Sequence, residues 1–400
     1  GNDLVIGGAG TDHIESESGA DIVIGDNAEA TFELTIGQSA STLNMFRSLA
    51  PEAGDSDELY GGQGFDILVG GSLSDLIEGG PDHDMILGDH AHYDSTFPAN
   101  QPIRSIATHN HQFGGNDRLF GNSGDDFILG QQGDDEIHGG SGQDDLTGGH
   151  NSLYDSASGH DGDDTFYGGD QADVIIGDNG IIERTIVGLH NWERYPSPYG
   201  NLELDDIHRQ VTRFDDTEHM RFDDWQQMHG DDTVFAGGGN DIVHGQRGND
   251  IIHGEHGSDE LIGHLGDDQI WGGADDDYIL ADAGAFVRDY LDENTPRLNS
   301  AATSWHRNIV LEDFAYINQT FSLNETESSE SATTLLAADW IMLAGVYDIS
   351  ENPVLSDDSL NIPAYKGLIL EAFPTNDDFI DGGTGNDILL GQRGADRLSG

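Results

Sequence analysis

In 400 residues, 76 Asp and Glu stand against 15 Lys and Arg, a formal net charge of −61. Such a chain repels nucleic-acid phosphates and anionic lipid, which removes both as partners. Apolar residues are only 35% while glycine numbers 56, so the chain is either disordered or completed by something cationic. No run of about 18 apolar residues is present to span a membrane, and the absence of cysteine excludes disulfides and thiolate metal sites.

From the first residue a nine-residue period sets in, with Asp at the sixth position of each unit. Units over 1–24 carry Asp3, Asp12 and Asp21, and those over 52–87 carry Asp57, Asp66, Asp75 and Asp84. The stretch 112–147 adds Asp117, Asp126, Asp135 and Asp144, and 159–176 adds Asp164 and Asp173. The longest run, 227–280, holds Asp232, Asp241, Asp250, Asp259, Asp268 and Asp277. Finally 373–400 holds Asp378, Asp387 and Asp396. Two positions after every one of these 22 Asp residues stands a large apolar residue, and position four is Gly in 16 units. An Asp-Gly turn taken alone is a solvated turn former. Twenty-two in register with an apolar residue at fixed offset are not. Both ends fall inside the pattern, so the sequence reads as a segment of a longer protein.

The units resemble the RTX (hemolysin-type) calcium-binding nonapeptide, GGxGxDxUx, as in Gly382-Gly383-Thr384-Gly385-Asn386-Asp387-Ile388-Leu389-Leu390. The resemblance implies an all-β fold, a parallel β-roll with two units per turn, the first six residues forming a turn and the last three a short strand. Position-one, -two and -four glycines permit positive φ and close backbone approach, aiming carbonyls and the Asp carboxylate inward. Calcium takes six to eight hard oxygens of this kind at about 2.3–2.6 Å. The candidate ligands are therefore the 22 sixth-position Asp residues and the turn glycines Gly124, Gly133, Gly239, Gly248, Gly257, Gly266, Gly385 and Gly394. Each ion is expected between a unit and the next on the same side, two units along. Runs broken by the insertions would allow ten complete sites, and an unbroken stack twenty. Position four departs from Gly at Asp55, Leu73, Asp82, Gln171, Asp275 and Asn376; Leu73 and Gln171 suit the left-handed region least.

Insertions occupy 25–51, 88–111, 148–158, 177–226 and 281–372. Four open alike, with Gly25-Asp26-Asn27, Gly88-Asp89-His90, Gly177-Asp178-Asn179 and Ala281-Asp282-Ala283. The strand before each of these is apolar on both faces, as in Val174-Ile175-Ile176, which predicts that the insertion folds back over the roll. Thr31-Phe32-Glu33-Leu34-Thr35-Ile36 alternates as a covering strand should. Residues 281–372 are long enough for a small subdomain, with core roles expected for Trp305 and Trp340. His90, His92, His109 and His111 flank one insertion and read either as surface histidines, the favoured reading, or as a zinc or copper cluster.

Catalytic signatures are sparse: the chain has no H-E-x-x-H, no G-x-S-x-G and no G-x-x-x-x-G-K. The resulting expectation is an extracellular scaffold that folds on binding calcium, with type I secretion implied by the resemblance. A surface glycan or protein is a further candidate ligand. The alternative is part of a secreted hydrolase, peroxidase, epimerase or adhesin, with its working residues in 281–372 or outside this segment.

Overall fold

The computed structural model describes residues 1–33, 42–49, 51–95, 106–110, 112–152, 161–184, 186–187, 191–192, 207, 209–213, 229–282, 284–288, 290–292, 295–296, 307–311, 319–322, 377–385, 387–391 and 395–400. Each of the 22 units ends in a strand, and successive strands alternate between two parallel sheets of eleven strands. Sheet I starts with Leu4–Ile6, Ile22–Ile24 and Ile67–Val69 and ends with Tyr278–Asp282 and Ile388–Leu390. Sheet II starts with His13–Glu15 and Glu58–Tyr60 and ends with Phe379–Thr384 and Arg397–Ser399. The chain forms the parallel β-roll that the resemblance implies.

Period two within a three-residue strand sends the middle residue inward. Accordingly Val23, Leu59, Leu68, Ile77 and Ile86 at one end, and Val243, Ile252, Leu261, Ile270 and Ile279 further on, are 0% exposed and form one core between the sheets. The core between the sheets thus needs only one file of side chains per sheet, which is why 35% apolar content suffices.

The stack runs through all five insertions without a break. Ile22–Ile24 pairs in register with Ile67–Val69 across the first, and Gln269–Ala274 pairs with Phe379–Thr384 across the last. The unbroken arrangement, with its twenty inter-unit steps per chain, is therefore the one adopted.

Every insertion leaves after a strand of sheet I and returns before one of sheet II. Two turn rows result: a first row, leading from sheet II to sheet I, is uninterrupted, and a second row, leading from sheet I to sheet II, takes all five insertions. Described parts of four insertions fold back over sheet I. Phe46, Ala91 and Ile106 pack with Ile24, Met85 and Leu87; Ile182 packs with Val174 and Ile176; Phe286 packs with Tyr278 and Leu280. Of the covering strand expected over 31–36, residues 34–36 lie outside the described residues; the described strand is Ala28–Glu33, in which Ala28 and Ala30 face the roll while Phe32 is 52% exposed. A register shift between Thr31 and Phe32 turns the alternation outward there. Trp305 and Trp340 lie outside the described residues.

Sheet II carries a different surface. Phe120, His138, Tyr167, Phe235, His253 and Trp271, each at position nine, stack with ring centroids 4.4–5.3 Å apart and planes within 15° of parallel. The strand spacing of about 4.8 Å imposes this ladder.

Candidate metal sites in the two turn rows

The sixth-position Asp residues line up along each row. In every one of the twenty steps that 22 units allow, Oδ1 of one Asp accepts the backbone amide of the Asp two units earlier, at 2.6–3.2 Å. The bonds continue past Leu73 and Gln171, which hold φ of 67° and 77°, so Asp75 and Asp173 keep their places.

One oxygen of each of these twenty carboxylates is thereby spent on the backbone. The other, Oδ2, is buried without a hydrogen-bond partner in Asp57, Asp66, Asp75, Asp84, Asp117, Asp126, Asp135, Asp144, Asp250 and Asp268, among others. Native proteins seldom leave a buried acceptor so, and here the same atom is left in unit after unit. The position-one glycines show what it faces. A Cβ on Gly121 would sit 2.4 Å from Asp126 Oδ2 and 2.6 Å from the Gly139 carbonyl oxygen two units on. Gly61, Gly70, Gly130 and Gly254 repeat this pairing of a carboxylate and a carbonyl oxygen. Hard oxygens from successive layers converge, which is the donor set calcium takes.

Of the turn glycines, Gly124, Gly133, Gly248, Gly257 and Gly266 hold positive φ, between 118° and 156°. Along the second row a Cβ on Gly248 would lie 1.8 Å from the Gly230 carbonyl oxygen, and one on Gly266 would lie 1.4 Å from that of Gly248. Gly239 and Gly385 abut the carbonyls of Gln171 and Asp275 in the first row. At these glycines the carbonyl of the preceding layer takes the space a side chain would fill, whereas Leu73, Asp82, Gln171 and Asp275 hold position four elsewhere at positive φ. Gly394 lies outside the described residues. Asp3, Asp12, Asp387 and Asp396 sit in the terminal layers, and Asp241, Asp164, Asp232, Asp259 and Asp277 in the interior of their rows.

Without a cation these carboxyls are uncomfortable. Burial pushes Asp84 up to about 9, Asp126, Asp277 and Asp378 to about 8, and Asp57 and Asp66 to about 6. Repulsion from the next Asp of the row adds to this; Asp126 faces Asp144, and Asp84 faces Asp126 and Asp66. A divalent cation would reverse both effects.

Sequence reasoning missed a second set of acids. Where the chain departs into an insertion, Gly25, Gly88 and Gly177 keep the position-one contact with Asp57, Asp117 and Asp232, so the insertion interrupts the turn itself. In an uninterrupted second-row turn the Gly248 amide donates to the Leu265 carbonyl of the next layer at 3.0 Å. In an interrupted turn the next Asp does that work with its side chain. Asp89 accepts the Gly115 amide on Oδ1 (3.0 Å) and the Gln132 amide on Oδ2 (2.9 Å). Asp178 likewise accepts the amides of Gly230 and Arg247, both at 3.0 Å, and Asp26 those of Asp55 (3.3 Å) and Ser72 (2.7 Å). Buried glutamines complete two of these closures. Gln131 accepts the Asp89 amide and donates to the His90 carbonyl, and Gln246 does the same for Asp178 and Asn179. The signal was present in the repeated Gly-Asp openings.

The 177–226 insertion is further latched by charge. Arg184, fully buried, donates to the Asp145 carboxylate and to the carbonyls of Asp125, Asp126 and Gln143. Arg209 donates to the other Asp145 oxygen at 2.6 Å.

The histidines flanking the second insertion do not form a metal cluster among the described residues. His92 and His109 approach to 6.4 Å between centroids, His90 is buried with Nε2 3.2 Å from Ser72 Oγ, and His111 lies outside the described residues. His244 and His253 fall on opposite sheets.

The pattern of the RTX calcium-binding nonapeptide repeat matches residues 1–28, 54–89, 111–146, 155–181, 230–261, 253–285 and 375–400, more than half of the chain. The chain belongs to this family of calcium-binding repeat proteins. No curated relative matches it. No helix among the described residues is long and apolar enough to cross a membrane.

Proposed function

We propose that this chain is an extracellular calcium-loaded scaffold whose folding is driven by the ions it binds. The observation that carries the reading is the recurring buried Oδ2 with no hydrogen-bond partner, facing a carbonyl oxygen of the next layer. The 22 sixth-position Asp residues would hold the ions together with turn carbonyls, and calcium would supply the positive charge that lets a −61 chain close. Binding free energy then becomes folding free energy. At low calcium the chain stays extended, the state suited to type I export; millimolar calcium outside the cell closes it.

The scaffold reading is favoured over a glycan-binding one by the aromatic ladder of sheet II. Its rings cover one another's faces at 4.4–5.3 Å and present edges, so they offer no open platform for a sugar ring. Far-UV circular dichroism above about pH 9, where the raised carboxyls are ionised, tests the reading: coil in chelator, strand in millimolar calcium, and poor replacement by magnesium, which demands smaller octahedral sites. A cooperative, fully folded state in chelator would overturn it.

A further inference from the structure

The insertion-opening acids do more than close a loop. A regular layer brings one carboxylate to each row and one gap to the next layer, so a divalent ion in every gap exceeds the row's own charge by one per layer. Interrupted turns differ. Asp89 enters the layer of Asp117, facing Asp75 and Asp135 on either side, and all four are at most 3% exposed. Oδ2 of Asp75, Asp117 and Asp135 has no hydrogen-bond partner, and Gly88, next to Asp89, is the glycine whose Cβ would lie 2.2 Å from Asp117 Oδ2. Asp178 stands in the same relation to Asp232 and Asp250, and Asp26 to Asp57 and Asp75. Asp89 has spent its oxygens on two amides, Asp26 on two amides and the Ser72 hydroxyl, and Asp178 on two amides and His229 Nδ1 at 3.1 Å, so each carboxylate keeps a lone pair to offer.

We propose that Asp26, Asp89 and Asp178 make the interrupted turns the tightest calcium sites of the second row, and that filling those sites shuts the bases of their insertions. The proposal rests on the calcium reading above. Added ligand charge is what raises calcium affinity in a site of given geometry. The same carboxylate holds the amides on both sides of the break, so the ion and the returning chain stabilise one conformation. Calcium would then fix the bases of these three insertions before it fills the regular layers of the row.

The test uses the whole chain. Calcium is titrated against a competing chelator, and proteolysis within 88–111 is followed over the same calcium range, for wild type, Asp89→Asn and a control, Glu78→Gln, on the outer face of sheet II. The expected result is a loss of about tenfold or more in the affinity of the tightest class of sites in Asp89→Asn. Protection of 88–111 should shift to the same higher calcium concentration, while Glu78→Gln stays like wild type. Should Asp89→Asn not fold, Asp26→Asn, nearer the end of the stack, is held to the same criteria with 25–51 as the cleaved segment. The proposal is overturned if the variant cleaves at all calcium concentrations while its tightest sites keep wild-type affinity, since the acid is then a bracket only. A wild type that takes up no calcium would instead overturn the calcium reading itself.

Discussion

The backbone amide of Asp268 donates to Oδ1 of Asp378 at 2.8 Å, although 110 positions of sequence separate them. Asp250 and Asp268, 18 positions apart, make the same bond at 2.9 Å. Asp378 passes the ladder on, donating its own amide to Asp396. It is therefore an interior member of its row, whereas the sequence runs place it at an edge. Asp378→Ala and Asp250→Ala should each orphan a buried amide and remove a ligand, and should weaken calcium binding to within about threefold of each other. Calcium titration of the two variants decides this; a loss confined to Asp250→Ala would mean that the last insertion uncouples the stack.

The response to pH should change sign with calcium. In the metal-free roll the buried carboxyls are raised above their ordinary 3.8, to about 6 at Asp57, about 8 at Asp277 and about 9 at Asp84. Groups raised on folding contribute stability that is complete below the unfolded value and is lost as pH rises through the folded ones. In chelator, strand signal should therefore survive near pH 4 and disappear between about pH 6 and 9. With calcium, protons compete for the same oxygens, so acid should unfold the roll instead. Circular dichroism across pH with and without calcium reads both slopes, and parallel slopes would contradict the argument.

The roll was legible because its period is rigid: a residue nine places on meets the same environment, so Asp at six and an aliphatic at eight announce turn and core together. Continuity across the insertions was not legible, because strand pairing such as Gln269 with Phe379 depends on where a returning chain lands. Nor was the role of Asp89 and Asp178. Read as motif residues, they follow a glycine in an ordinary loop opening; only the amides on both sides of the break, which bond the one carboxylate, show why it stands there. Phe32 failed for a related reason, since one register shift reverses which side chains of a strand meet the sheet.

The core should be sensitive one layer at a time. Leu261 is fully buried between turns, and Leu261→Ala should cost about 2–5 kcal/mol, as expected for a cavity in a core that cannot collapse. Leu398, 38% exposed in the last layer, should matter far less on truncation. Thermal melts in saturating calcium compare them, and equal losses would show that position eight is not the structural file described.

The 177–226 insertion should be released by breaking its latch. Arg184→Met leaves Asp145 buried beside Arg209 alone and removes the donors to three carbonyls, a loss of about 3–5 kcal/mol for a buried pair. Ile176→Asp should act from the other side by spoiling the contact with Ile182. Limited proteolysis in calcium should cut within 177–226 in both variants while the repeats stay protected; cleavage as slow as in wild type would show that the latch does not hold it.

Because every interruption enters through the second row and the first row never parts, the amount of sequence carried by a layer is nearly decoupled from the layer itself. Closing a loop loses chain entropy only as the logarithm of its length. Between the shortest insertion, 148–158, and the longest, 281–372, the difference is about three doublings, or about 2 kcal/mol. That is close to the worth of a single buried aliphatic side chain docked on sheet I. An eleven-layer roll of this kind can exchange, lengthen or shed what hangs from one margin while the opposite margin keeps the register of the whole.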